Sequence, residues 1–236
     1  MPVPTAPLVS IVMAVRNGER YLAAAMNSIL DQCYHPMEIL FVDGRSTDRS
    51  REIAASYPWV RILKQPGTGI ADAYNLGIIE AQGEYLAFLS HDDIWTSDKL
   101  HAQVGHLNRN PQVPYVVGKA RLFLDPGCKA PPALKSGLLY GDHVAFNMES
   151  LLARRHVFNS VGLFNTSLTM GEDTDWFLRG LDLGMVGEVL PRVILHKRVH
   201  DANIWLNTPE YRQILIRIVK QSLQRKRNRA AGGSER

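Results

Sequence analysis

The sequence predicts an α/β fold built on a central, mostly parallel sheet flanked by helices. Three observations carry that expectation. Apolar, β-branched-rich runs recur between residues 8 and 89 and are bounded by turn signals, as strands buried on both faces require. Segments with apolar residues at helical spacing lie between them, so strand and helix alternate. Polar residues gather just after the strands, at the carboxyl ends where open parallel sheets bind ligands.

Leu8–Val15 is nearly all apolar and reads as the first strand, closed by Arg16-Asn17-Gly18. Residues 19–32 place Leu22, Met26, Ile29 and Leu30 on one helical face. Ile39–Val42 forms the second strand and ends in Asp43-Gly44. Ser46-Thr47-Asp48 then offers cap-type residues for a helix reaching about Tyr57. A short third strand at 60–63, the loop Pro66-Gly67-Thr68-Gly69 and a helix over 70–82 follow. Tyr85–Leu89 is the fourth strand, succeeded at once by Ser90-His91-Asp92-Asp93 and a helix-like stretch. Past residue 113 the pattern loosens. It predicts a strand at 114–124, an irregular loop over 125–141 and a helix at 149–156. A helix opening on the acids of 170–175, a short strand at 193–195 and a last helix over 208–227 complete the chain, with no internal repeat.

Composition narrows the function classes. Of 236 residues, 45% are apolar and 21% charged, as in ordinary globular proteins, and no apolar run reaches the ~18 residues of a membrane span. Met1–Pro7 has neither the basic nor the apolar segment of a signal peptide. Cys33 and Cys128 form no CxxC and suit a reducing, cytoplasmic compartment. Residues 211–236 hold eight Lys/Arg against one acid, a net +7, which leaves −3 on the rest of a +4 chain. The body is therefore not a nucleic-acid surface by charge, while the tail suits an anionic one.

Adjacent carboxylates at Asp92 and Asp93 repel each other unless a cation lies between them. One of them could equally cap the following helix. Polar clusters at three strand ends, Val15-Arg16-Asn17, Asp43 and Ser90-His91-Asp92-Asp93, favour a ligand site.

The stretches VSIVMAVRNGERYLAAAMNSILDQ, FVDGRSTDRS, GIADAYNLGIIEAQGEYLAFLSHDD and GEDTDWFLR resemble the family 2 glycosyltransferases, in order and spacing, over about residues 8–205. That resemblance implies the GT-A fold and a nucleoside-diphosphate sugar donor, a UDP-sugar being favoured. It places the base against Ala14, Val15, Arg16 and Asn17, with Asp43 as hydrogen-bond acceptor for a uracil N–H. It gives Asp72 a nucleotide or loop-ordering role, an exposed helix acid being the other reading. Asp92 and Asp93 match the D-x-D region, Ser90, His91 and Asp92 are the implied nucleotide contacts there, and Asp92, Asp93 and His200 are the implied ligands of Mn2+ or Mg2+, with His196 competing for the last place. The cation serves a leaving group on which negative charge grows. Asp173 matches the catalytic base of a single inverting displacement, and Glu172 and Asp175 beside it fit a helix N-terminus. Two departures stand out: Ser90 replaces the first acid of the triplet, and Arg45 replaces a glycine.

The expected function is metal-assisted transfer of one sugar to a saccharide or lipid-linked acceptor. The rival readings are a non-catalytic sugar-nucleotide or partner-binding relative and a sugar-nucleotide nucleotidyltransferase, for which Arg16-Asn17-Gly18-Glu19 lacks the Gly-rich basic loop. Residues 1–113 form the expected nucleotide-sugar half, 114–207 the acceptor and base half, and 208–236 a helix and basic tail. Arg225, Lys226, Arg227 and Arg229 could contact an anionic inner-leaflet surface, a solvated, disordered terminus being the better assignment. Trp176 and Trp205 could stack on sugar, core packing being the better assignment for Trp176.

Overall fold

A computed structural model of the chain describes residues 6–129, 139, 141–201, 203 and 209–232. The first half alternates as expected: β1 (Val9–Val15), α1 (Glu19–Leu30), β2 (Met37–Asp43), α2 (Ser50–Ala55), β3 (Val60–Lys64), α3 (Ile70–Glu80) and β4 (Tyr85–Phe88). Then come β5 (Ile94–Trp95), α4 (Lys99–Arg109), β6 (Tyr115–Leu124), β7 (Asp142–Val144) and β8 (Leu152–Arg154). The helices α5 (Arg155–Val161) and α6 (Glu172–Asp182), the strand β9 (Glu188–Val199) and the helix α7 (Pro209–Gly232) follow. Among the described residues the strands form one sheet in the order β3-β2-β1-β4-β8-β6-β9-β5, with β7 on β6. The β3-β2-β1-β4 half is wholly parallel. β8 joins antiparallel between β4 and β6, and β6 pairs parallel with β9 across an irregular register. The chain is thus an α/β protein with helices on the sheet's faces.

The side-chain alternation of a strand divides β1 between two cores. Ile11, Met13 and Val15 pack with Leu22, Met26 and Ile29 of α1. Val12 points the other way, among Ala71, Tyr74 and Ile78 of α3. α3 lies flush on β1 because Gly77 has no Cβ, which would stand 2.3 Å from Val12 Cγ1. The second core is aromatic. Phe158 stacks on Trp176 with centroids 4.8 Å apart, and Tyr74 meets Phe88 edge-on at 5.1 Å. Such pairs contribute about 0.5–1.5 kcal/mol each beyond area burial, and they join α5 and α6 to the first half. Trp176 is fully buried, and its Nε1 donates to the carbonyl of Gly162 at 3.1 Å. Trp205 and residues 130–138 of the expected loop lie outside the described residues.

The second half departs from expectation in detail. Residues 149–156 are not one helix: a 3₁₀ turn at Met148–Ser150, the strand β8 and the start of α5 share them. Asn147 Oδ1 accepts from the backbone N–H of Ser150 and closes the turn, and Leu152 then pairs with Ala87 on one side and Val116 on the other. Sheet pairing decides the conformation there over local pattern. β9 extends well beyond 193–195 on both sides because it pairs along the length of β6. α7 packs on α6 through buried Ile218 and Ser222, whose hydroxyl donates to Asp182 Oδ1 at 2.7 Å. Arg225 Nε pairs with Asp182 Oδ2 at 2.7 Å, and Arg229 donates to the Asp182 carbonyl. With Lys226 Nζ 3.7 Å from Asp182 Oδ1, three of the four candidate lipid-facing cations therefore pair with the acid that anchors the helix. No described helix is long and apolar enough to cross a membrane.

Candidate functional site

The carboxyl ends of β1 and β2 are stitched together by short polar links. Gly44 N–H donates to the Val15 carbonyl at 2.8 Å. Asn17, in the left-handed region at φ 52°, accepts from Thr47 N–H on Oδ1 at 2.8 Å, and its own N–H donates to Ser46 Oγ at 3.0 Å. Asp43 is buried, with Oδ1 accepting from Ser46 N–H at 3.0 Å and Arg51 3.8 Å away. Arg45, also left-handed at φ 64°, reaches across to the Pro66 carbonyl at 3.0 Å. Asp43, Arg45, Ser46, Thr47, Arg51, Lys64, Gln65 and Pro66 line an open cleft of about 740 Å³. Next to the cleft, Asp72 Oδ2 accepts from Gln65 Nε2 at 3.0 Å and from Gly67 N–H at 3.1 Å. Ala14 is half-buried and Arg16 exposed at the lip.

The loop after β4 is bound from the opposite side by β9. Asp92 Oδ2 lies 3.0 Å from His200 Nε2 and 3.3 Å from Asn203 Nδ2. Burial pushes the Asp92 carboxyl up, but His91, Lys197 and the His200 hydrogen bond together outweigh it and hold it below the usual carboxylate range. The His91 ring rests on Gly18, where a Cβ would stand 2.8 Å from its ring carbons, and burial lowers its pKa. Asp93 is buried. Its Oδ2 accepts from Lys197 Nζ at 2.8 Å and its Oδ1 from Arg198 N–H at 3.0 Å. Burial raises the Asp93 carboxyl to about 7 in spite of Lys197. Ser90 Oγ donates to Glu149 Oε1 at 2.6 Å, and Lys197 stands 3.7 Å from the other oxygen of Glu149.

Asp173 opens α6, behind Gly171 at φ 77°. Its Oδ1 accepts from the Thr174 N–H at 2.6 Å. Burial, with Glu149 adding its negative field, pushes the Asp173 carboxyl up to about 6. Glu172 rises to about 7, through burial and then Asp173. A carboxylate with a raised pKa is poised to take a proton near neutral pH. Asp175 turns away and pairs with Arg179 at 2.9 Å.

Among the described residues no group of three or more His, Cys, Asp or Glu side chains could hold a metal ion by itself. Asp92 and His200 together offer one carboxylate and one imidazole, and Mg2+ or Mn2+ commonly takes few protein donors and completes its shell with phosphate oxygens and water. The donor chemistry fits such an ion. Asp93, expected as a third ligand, instead has both oxygens engaged by Lys197 and Arg198. His196 sits elsewhere, its pKa lowered by burial and then by Arg121.

Glu149, Lys197, Arg198, Asp125 and Asn203 escaped the sequence reading. Their partners lie far off in the chain, Glu149 59 residues from Ser90 and Lys197 104 from Asp93. The signal that could have found Lys197 and Arg198 was their place beside His200, after a predicted strand.

Residues 10–125 match the family model described as Glycosyl transferase family 2. An uncharacterized glycosyltransferase of Rickettsia typhi is 30% identical over 208 residues, covering 83% of this chain and 65% of that protein. S. aureus TarS 1–349 in complex with UDP-GlcNAc superposes with a TM-score of 0.73 at 16% identity, covering 92% of this chain and 66% of that one. The mannosyltransferase PcManGT from Pyrobaculum calidifontis, in complex with GDP-Man and Mn2+, superposes with a TM-score of 0.66 at 20% identity, covering 86% and 60%. At these identities the two structures bear on the fold alone. The chain spans 60–66% of the length of these three relatives.

Proposed function

This chain belongs to glycosyl transferase family 2, and from that premise we propose that it transfers one sugar, with inversion, from a nucleoside-diphosphate donor to an acceptor hydroxyl. The observation that carries the reading is the meeting of Asp92 with His200 across 108 residues of sequence, in the same polar cluster as Asp173. In this reading the base enters the cleft over Asp43, and Ala14–Asn17 form its floor. A buried carboxylate acceptor complements a uracil N–H, so a UDP-sugar is favoured. Asp72 keeps the 65–69 loop in place. Asp92 and His200 hold the divalent cation, which when bound offsets the charge gathering on the departing diphosphate. Asp173 takes the proton of the acceptor hydroxyl as the new bond forms. Both structural relatives were solved with nucleotide sugars, which supports the donor class.

Ser90 and Arg45 are the features that favour a non-catalytic relative. The Glu149 carboxylate beside Ser90 returns a negative charge near the lost acid, which weighs for catalysis. The acceptor is a saccharide or a lipid-linked saccharide. A cytoplasmic protein meeting the inner leaflet would use the outer face of α7, where Ile216, Val219 and Leu223 are about half exposed and Arg212, Lys220 and Arg227 flank them at helical spacing. Salt-sensitive sedimentation with anionic vesicles, lost in Leu223→Asp, is expected; unchanged sedimentation in that variant removes the membrane contact.

A thermal-shift screen across nucleoside diphosphates, with Mn2+ or with EDTA, tests the donor site. UDP with Mn2+ should raise Tm most. If no nucleotide shifts Tm under either condition, the donor reading falls.

A further inference from the structure

We propose that Arg198, Asp125 and Tyr21 are positioning residues that hold Asp92 and His200 at the spacing a divalent cation requires. The proposal rests on the metal reading above and adds to it the device that fixes the two ligands.

Arg198, on β9, is buried, and its guanidinium carbon lies 4.6 Å from the ring centroids of both Tyr21 and Phe123. From that slot it grips the metal loop twice. Its Nε donates to the Asp92 carbonyl at 3.0 Å, and its backbone N–H donates to Asp93 Oδ1 at 3.0 Å. Its Nη1 donates to Asp125 Oδ1 at 2.9 Å. Asp125 follows the end of β6, and its N–H donates to the Val199 carbonyl at 2.9 Å, which ties it to the strand that carries Arg198. The other oxygen, Oδ2, accepts from Arg20 Nη2 at 2.7 Å and Tyr21 Oη at 2.9 Å. The Tyr21 ring then lies 4.9 Å from the His200 ring. One carboxylate thus fixes the guanidinium that holds Asp92 and the phenol that carries His200.

The geometry is stiff for physical reasons. A guanidinium is planar and cannot lose its charge, so its fork directs every bond it makes. Both aromatic rings lie within cation–π distance of the guanidinium, which favours this placement. Groups that orient metal ligands without touching the metal commonly change metal affinity 10–100-fold when altered. A brace serving only to join β6, α1 and β9 would use the same contacts, but its loss would not depend on the cation.

Calorimetric titration of UDP into the full chain, in Mn2+ and in EDTA, separates the two. Asp125→Asn keeps the shape and removes the charge. It should weaken UDP about 10-fold in Mn2+ and by no more than about twofold in EDTA, and Asp92→Ala should erase that difference in the double variant. Arg198→Lys keeps a cation for Asp125 but loses the fork, and it should show the same pattern, so the test survives if Asp125→Asn misfolds. Equal losses with and without Mn2+ would overturn the proposal and leave a structural brace. Wild-type affinity that ignores Mn2+ would overturn the metal reading as well. A cation-dependent loss in Asp92→Ala with none in Asp125→Asn or Arg198→Lys would sink only the positioning role.

Discussion

At the ends of β1 and β2, Asn17, Asp43, Ser46 and Thr47 meet through neutral or singly charged hydrogen bonds, and Asn17 and Thr47 remain exposed. After β4 and β9, by contrast, the buried acids Asp93 and Glu149 pack around Lys197, beside a carboxylate raised to about 6. The first region builds a shape out of backbone and turn geometry. The second builds an electric field out of charges taken from water, where each interaction is stronger and each unpaired group costs more. Recognition of a flat base suits the first kind of site, and proton transfer with a charged leaving group suits the second.

The largest effect should come from the charged region. Asp173→Asn is expected to lower kcat by about 10²–10⁴, with UDP affinity within about twofold of wild type, since the amide keeps the shape and loses the basicity. Turnover measured beside nucleotide affinity checks it; near-normal turnover would break the assignment of the base.

Next in size is Lys197→Met. It leaves Asp93 and Glu149 without their shared cation, at a cost of about 3 kcal/mol by urea denaturation. That is the low end for a broken buried pair, because Asp93, already raised to about 7, can take a proton and shed its charge. A loss below about 1 kcal/mol would show that the pair behaves as a surface salt bridge, and the contrast between the two regions would dissolve.

A smaller effect follows from pH. As the proposed base, Asp173 would have to be ionised, so kcat/KM should fall about tenfold per unit below pH 6. The same raised pKa works against the fold. The unfolded chain gives up this proton near 3.8 and the folded chain near 6, so stability from this group is lost as pH rises between those values. Asp173→Asn should therefore have a higher Tm than wild type at pH 8 and the same Tm at pH 4. A lower Tm at pH 8 would mean that the ionised carboxylate stabilises the fold.

The smallest effect belongs to the exposed region. Arg45→Gly relieves a left-handed backbone by about 1 kcal/mol and gives up one exposed hydrogen bond to Pro66 of similar worth. Stability should change by less than about 1 kcal/mol, while the nucleotide preference of the cleft broadens in a thermal-shift panel. An unchanged preference would show that Arg45 only braces the loop.

The strands β1, β2 and β4 were legible because their residues are buried on both faces, while the half-buried β3 showed as a shorter run. Continuous apolar runs such as Leu8–Val15 leave little else for the chain to do. Asp43, Asp92 and Asp173 could be singled out because each follows a local signal, a strand end or a helix start, within a few residues. His200 was harder, since a lone histidine carries no pattern, and only the fold brings it to Asp92. Glu149 and Asp125 carry no local mark that separates them from solvated surface charges, and Lys197 and Arg198 carry only their place beside His200 after a predicted strand. Their orienting contacts come from partners 59 to 106 residues away.

The sequence by itself determined the alternation of strand and helix, the family, and the strand ends where polar groups collect, because periodicity and turn chemistry act over a few residues. Tertiary structure decided which acids are ionised, which are raised, and which face one another. Burial and charge pairing are properties of the space between distant segments, and that space exists only once β8, β6 and β9 have closed the sheet against the loop after β4.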